Sequence, residues 1–342
     1  RVWTAYDSDG FMQLSEDAWL YNATLTASVA ANALTIALKT KAAADPSATD
    51  PVYIGFRNAT AATGDYTVIK ITAAASIVVS SGSTLGTVSA QANRIYVAGF
   101  NDAGVFRLGV YNPWNDTTKS LLALDEATLY TSTAEGGTGA ADSAQVIYTG
   151  TAVTTKAACI LGYVESTQAT AGTWATTPSK VQLLGVGVKR TGDVVQHIHT
   201  FTGALATGTT TVPLDDTIPQ ITEGIAVSAL DTAITPTSTI NLLSMHAIVN
   251  ADHSTLDAEV FLMLFEDAVA NALAVSRISQ NSGGAVMLSL NHMKLSGTTS
   301  LTTKRIRVGS SDAGTISVNG QAGVRLFGGV MVSSLVVQEI FV

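Results

Sequence analysis

Apolar and polar positions alternate with a period of two through most of the chain. Leu34, Ile36 and Leu38 are separated by Thr35, Ala37 and Lys39. Side chains of a strand point to opposite faces in turn, so this spacing predicts strands buried on one face. The runs 94–100 and 105–111 flank Asn101-Asp102-Ala103-Gly104 and predict a hairpin with a short Gly-containing turn. Further strands are expected at 66–71, 77–79, 159–164 and 181–186. After a break near 185–192 they are expected at 194–201, 240–249, 259–265, 286–292, 304–308, 315–318 and 330–340. Gly-, Asn- and Ser-rich turns separate them, among them Asn281-Ser282-Gly283-Gly284, Asp312-Ala313-Gly314 and Asn319-Gly320. Helical spacing is confined to 119–127, 142–147 and 266–274. Short strands at this spacing predict an all-β protein with few short helices, built as two β-sandwich or jelly-roll-like domains. The expected organisation is an aromatic, acidic N-terminal connector over 1–21, a first sandwich over 22–188 and a second, knob-like sandwich over 189–342.

Composition narrows the function classes. Of the 342 residues 46% are hydrophobic, so the chain has enough apolar surface to fold, yet only 13% are charged. The net charge is −8, and no Lys/Arg cluster exceeds pairs such as Lys189-Arg190, so the basic stripe that tracks phosphates is missing and nucleic acid is not an expected partner. The longest apolar run, Val260 to Phe265, is far below the ~18 residues of a membrane helix, so no membrane insertion is expected. Opening at Arg1, the chain reads as a mature form, a fragment or the ordered part of something longer. The single cysteine, Cys159, lies in Ala158-Cys159-Ile160-Leu161 and reads as a small buried hydrophobe. The apolar strands and the aromatic connector, with Trp3, Tyr6, Phe11, Trp19 and Tyr21, predict surface that needs another chain to cover it.

Two stretches resemble sequences recurrent in tailed-bacteriophage virion proteins. One runs from Leu25-Thr26-Ala27-Ser28-Val29 through Asp45-Pro46-Ser47-Ala48-Thr49-Asp50-Pro51 to 61–66, and resumes at Leu161-Gly162-Tyr163-Val164-Glu165. The other starts at Gly192-Asp193-Val194-Val195-Gln196, includes Thr209-Thr210-Thr211-Val212-Pro213 and Asp215-Asp216-Thr217-Ile218-Pro219-Gln220, and ends at Arg325-Leu326-Phe327-Gly328-Gly329-Val330-Met331. The resemblance is one of sequence texture over most of the chain and transfers no functional residues. It implies a tail-fibre component on the virion surface, assembled as a homotrimer with other virion proteins and attaching to a glycan or protein of the host surface. A head-fibre or capsid decoration protein, a carbohydrate-cleaving tailspike and a secreted bacterial adhesin are the alternatives.

No catalytic signature accompanies this. There is no Gly-x-Ser-x-Gly elbow, and Asp215-Asp216, as neighbours on extended backbone, point apart instead of flanking a glycosidic bond. The chain is therefore expected not to be an enzyme and to carry no cofactor. Asp7-Ser8-Asp9-Gly10 lacks the remaining ligands of a calcium loop, and the glycines of 136–139 lack the Lys of a phosphate loop. The sequons at Asn22, Asn58 and Asn115 are expected by chance in a Thr-rich chain. His197-Ile198-His199 is the sharpest cluster: two imidazoles on one strand face are half a metal site in one chain, and three copies on an axis supply six nitrogens. The competing reading is a polar outer face. Receptor contact is expected in the loops of the second domain, through Asp215, Asp216, Asn281, Ser282, Asp312 and Asn319.

Overall fold

The computed structural model describes residues 20–57, 66–125, 128–135, 142–185, 188–281 and 283–342. Most of the expected connector, the 7–10 and 136–139 motifs, Asn58 and Ser282 lie outside them. The described residues are almost entirely β-strand, and their helical structure is limited to single 3-10 turns at Ser228–Leu230 and Phe327–Gly329. The chain divides into two compact units, Arg1–Thr191 and Gly192–Val342.

In the first unit a sheet built on Ala92–Asp102, Val105–Tyr111 and Lys156–Thr167 shares a core with two smaller sheets. The predicted alternation holds: Leu34, Ile36 and Leu38 are fully buried, alternating with partly exposed neighbours. The predicted hairpin closes through Ala103 and Gly104, both at positive φ, a two-residue turn whose backbone matches the twist of its strands. Cys159 is buried in the same core. Trp174 is also buried there and donates its indole N–H to the Ser83 carbonyl at 2.8 Å.

The second unit contains eight main strands. They are β1 (Val194–Thr202), β2 in two pieces (Ile225–Ala226 and Thr232–Ile234), β3 (Leu242–His253), β4 (Glu259–Glu266), β5 (Ala274–Ser279), β6 (Val286–Leu295), β7 (Thr302–Ser310) and β8 (Ser333–Ile340). One antiparallel sheet has the order β1-β8-β3-β6 and the other β2-β7-β4-β5. This strand order is that of a two-sheet jelly roll. Its core lies between the sheets, where Met245, Ala247 and Val249 of β3 meet Leu262 and Leu264 of β4, Ile306 of β7 and Leu335 and Val337 of β8. Strand β4 is the apolar run of the sequence, and it is buried on both faces. Its outward Phe261, Met263 and Phe265 are covered by Val212, Ile221 and Ala272, so the long connection from β1 to β2 lies across the outside of the second sheet.

The structure corrects several local expectations. Residues 119–127 and 142–147 form turns and short strands where described. Residues 266–274 link β4 to β5 without a helix, because tertiary bonds claim their backbone: Asp267 N–H donates to Thr303, Ala272 to Pro219 and Leu273 to Leu264. Asn319 is a turn residue at φ +58°, as expected, while Gly320 already opens a short hairpin that turns at Ala322-Gly323, between the paired residues Gln321 and Val324. The last strand begins at Ser333, leaving Val330 and Val332 outside it and exposed.

Candidate functional site

A jelly roll brings alternate connections together at one end. Here the β3–β4, β5–β6 and β7–β8 connections converge, and a polar hub at the end of β3 ties them. Gln280 donates to the Asp252 carboxylate (3.1 Å) and to the His253 carbonyl (3.1 Å), and its own side-chain oxygen accepts from His253 N–H (2.7 Å). The other Asp252 oxygen accepts from Ala322 N–H at 2.9 Å, in the β7–β8 connection. Thr255 N–H donates to His253 Nδ1 at 3.1 Å, which fixes that nitrogen as an acceptor in the β3–β4 turn. Thr255 Oγ1 in turn donates to the Ala313 carbonyl.

The predicted recognition residues separate on this frame. Asn281 and Asp312 are exposed at the loop end, where the Asp312 carboxylate accepts from Glu259 N–H. Asn319 is fully buried and is not a presented residue. It donates to the carbonyls of Thr202 (2.9 Å) and Ala204 (3.1 Å) and accepts from Ser333 Oγ (2.6 Å), so its amide pins the base of the β7–β8 connection. Asp215 and Asp216 lie elsewhere, on the exposed connection that crosses the second sheet. Asp215 accepts from the backbone and hydroxyl of Thr217 at 2.9 and 2.6 Å, and these bonds hold its carboxyl below the usual range.

His197 and His199 are exposed on one face of β1, as the alternation required. His197 Nδ1 lies 3.0 Å from Gln338 Nε2, and the His199 ring lies 5.5 Å from that of Phe201. No cluster of three metal-ligating side chains occurs among the described residues.

The sequence reading missed several exposed apolar side chains in this unit, of which Phe201 lies beside His199. Phe201 and Met287 are each 63% exposed, Phe327 74% and Val330 80%. Phe327 holds φ +49° and is followed by Gly328 and Gly329, also at positive φ. A bulky residue in this region is strained. The visible signal was the Gly328-Gly329 pair, which separates Phe327 from the apolar run of the last strand and so argues against a strand starting at Val330.

No family model and no curated protein matches the chain. Among solved structures, it is similar to the T13 particle of IBDV at 12% identity and TM-score 0.26, over 95% of this chain and 75% of that one. The VP2 subviral particle of infectious bursal disease virus gives 12% and 0.25, over 96% and 79%. The insecticidal delta-endotoxin Cry8Ea1 of Bacillus thuringiensis gives 8% and 0.23, over 94% and 52%. Likeness this distant adds nothing to the topology already described.

Proposed function

We propose that this chain is a structural component of a virus-particle surface and, more finely, a phage tail-fibre component that attaches the particle to its host. The observation that carries this reading is the jelly-roll strand order of the second unit, an architecture of viral capsid and lectin domains. It joins the virion-protein texture of the sequence. Both settings use a rigid β scaffold to present loops.

The role is contact, not catalysis. The carboxylates with clear partners serve as fasteners: Asp252 ties two connections, Asp215 caps its own turn, and Glu266 holds two lysines. Recognition falls to polar tips such as Asn281 and Asp312, and to the separate Asp215–Asp216 turn, suited to the edge of a glycan or protein. The test is antibody against this chain, imaged on particles by electron microscopy, with the purified chain competing for adsorption. Label on the tail and blocked adsorption are expected. Label on the head would replace the fibre with a head-fibre or decoration role. Absence of label from particles, or shortening of host polysaccharide by the chain, would overturn the reading.

A further inference from the structure

We infer that the outer face of the β1-β8-β3-β6 sheet, extended by residues 321–332, is the docking surface for a second copy of this chain. The register defines the face. Phe201, Ser334, Ile248 and Ser289 form one row, His199, Val336, His246 and Asn291 the next, and His197, Gln338, Ser244 and Met293 the third. Asn250 and Met287 follow at the loop end. None of these outward positions is Asp, Glu, Lys or Arg. The charges of the same strands are not presented: Asp252, at the loop end of the same outward row, is buried beneath Ala322, Glu339 is buried, and Lys294 reaches Glu266 of the other sheet. The outward positions of β7 on the second sheet, by contrast, carry Arg305 and Arg307.

Charge and area identify the occupant. The chain carries −8, so copies repel at most approaches, and this face lets them meet without opposing like charges. Nucleic acid or an anionic membrane would need cations, and the only one on the extended surface is Arg325. Four strands ~4.8 Å apart and about seven residues long at ~3.3 Å each give roughly 450 Å² of projected face. The exposed Val324, Phe327, Val330 and Val332 carry the surface towards the ~800 Å² per partner of a stable complex. The segment is also pre-formed: Asn319 pins its base, Ala322 N–H is bound by Asp252, and Gly323 N–H donates to Ser317 Oγ at 2.9 Å. The inference is independent of the particle reading, since a secreted adhesin would use the same face.

The test is light scattering of the full chain at micromolar concentration. The wild type should show a multiple of 35.3 kDa. Ile248→Lys and Val336→Lys, in the middle of the face, should each give the single-chain mass with an unchanged far-UV spectrum. Val78→Lys, exposed in the first unit, should keep the multiple. Ser289→Cys should also crosslink between copies with a short bismaleimide where Val78→Cys does not, a readout that does not depend on the lysine variants folding. A single-chain wild-type mass, a multiple that survives both lysines, or a monomer that uses this face to hold lipid vesicles or glycan would overturn it.

Discussion

Replacing Glu266 with Gln should destabilise the second unit by about 3 kcal/mol while leaving the first unit unchanged. Glu266 closes β4 and faces two ammonium groups. Lys304 Nζ donates to it at 2.5 Å and Lys294 Nζ to both its oxygens at 2.9 Å. The Lys304 side chain is fully buried, whereas that of Lys294 is 30% exposed. Burial opposes ionisation of Glu266, but the two lysines outweigh it and hold the carboxyl below its ordinary value. Lys304 is pulled below the usual lysine range because burial outweighs its attraction to Glu266. Gln leaves the buried Lys304 cation with only the weaker attraction of Asp267. One-sided breaking of a buried pair costs about 3–5 kcal/mol, and the lower end applies because the amide oxygen still accepts. The assay uses the placement of Trp3, Trp19, Trp114 and Trp174, which all precede Gly192. Trp114 and Trp174 are buried in the first unit and no Trp follows Gly192, so unfolding of the second unit is silent in tryptophan emission, whereas circular dichroism follows both units. Urea unfolding should show an earlier dichroism transition and an unmoved emission transition. Glu266→Gln combined with Lys304→Met should recover most of the loss, since removing both charges also removes their desolvation. The pH dependence has a fixed sign: a depressed carboxyl stabilises above its unfolded value of 4.5 and loses that contribution as pH falls through its folded value. The difference between wild type and Glu266→Gln should therefore shrink below about pH 4.5. A single variant as stable as wild type at pH 7, or a shift confined to the emission transition, would refute the argument.

Three further outcomes follow from buried polar groups and close packing. Asn319→Ala removes three hydrogen bonds and puts Ala at φ +58°, and should cost about 2–4 kcal/mol; limited trypsin digestion should then cut faster after Arg325. Glu339→Gln turns an amide donor towards Gln196, Thr237 and Asn241, all of which donate to the buried carboxylate, and should lower Tm by several degrees at about 2 kcal/mol. Gly309→Ala places a methyl 2.4 Å from Val212 Cγ2 and 2.9 Å from Gly224 Cα, so the covering connection must lift, at about 1–3 kcal/mol; faster amide exchange at Val212 and Gly224 should report it.

The all-β class was legible because period-two alternation survives wherever one face of a strand is buried. Leu34 to Leu38 and β8 show it directly. The doubly buried β4 was visible as an unbroken apolar run. Elements carried by tertiary contact were not legible. β2 is two short pieces, and β5, with the pattern Ala-Val-Ser-Arg-Ile-Ser, is half-exposed at a sheet edge. The Ala-rich 266–274 segment carries helical spacing that its bonds to Thr303 and Pro219 override. At the site, the alternation placed His197 and His199 on one face, as found. It gave no means of knowing that Asn319 is buried, because that depends on Thr202 and Ser333, which are distant along the chain. It also did not show that Phe327 and Val330 point into solvent, since their composition matches that of the buried strand beside them.

The low charge content has a structural logic that bears on function. In the second unit several ionised groups act as fasteners. Arg307 donates to the carbonyls of Glu223 and Gly224, both at 2.7 Å, and clamps the covering connection onto the second sheet. Asp252 joins the connections at the loop end, and Glu266 closes the opposite end of β4. With Arg307 and Glu266 committed to the second sheet and Asp252 covered by Ala322, the exposed outer face of the β1-β8-β3-β6 sheet presents only neutral side chains and histidines. Such a face lacks the charge repulsion that guards a free-standing protein against non-specific contact. A subunit gains a surface on which acidic copies can meet. Were copies to meet through this sheet face, the Asp215–Asp216 turn, which lies across the other sheet, would stay outside the contact and could act in several copies at once.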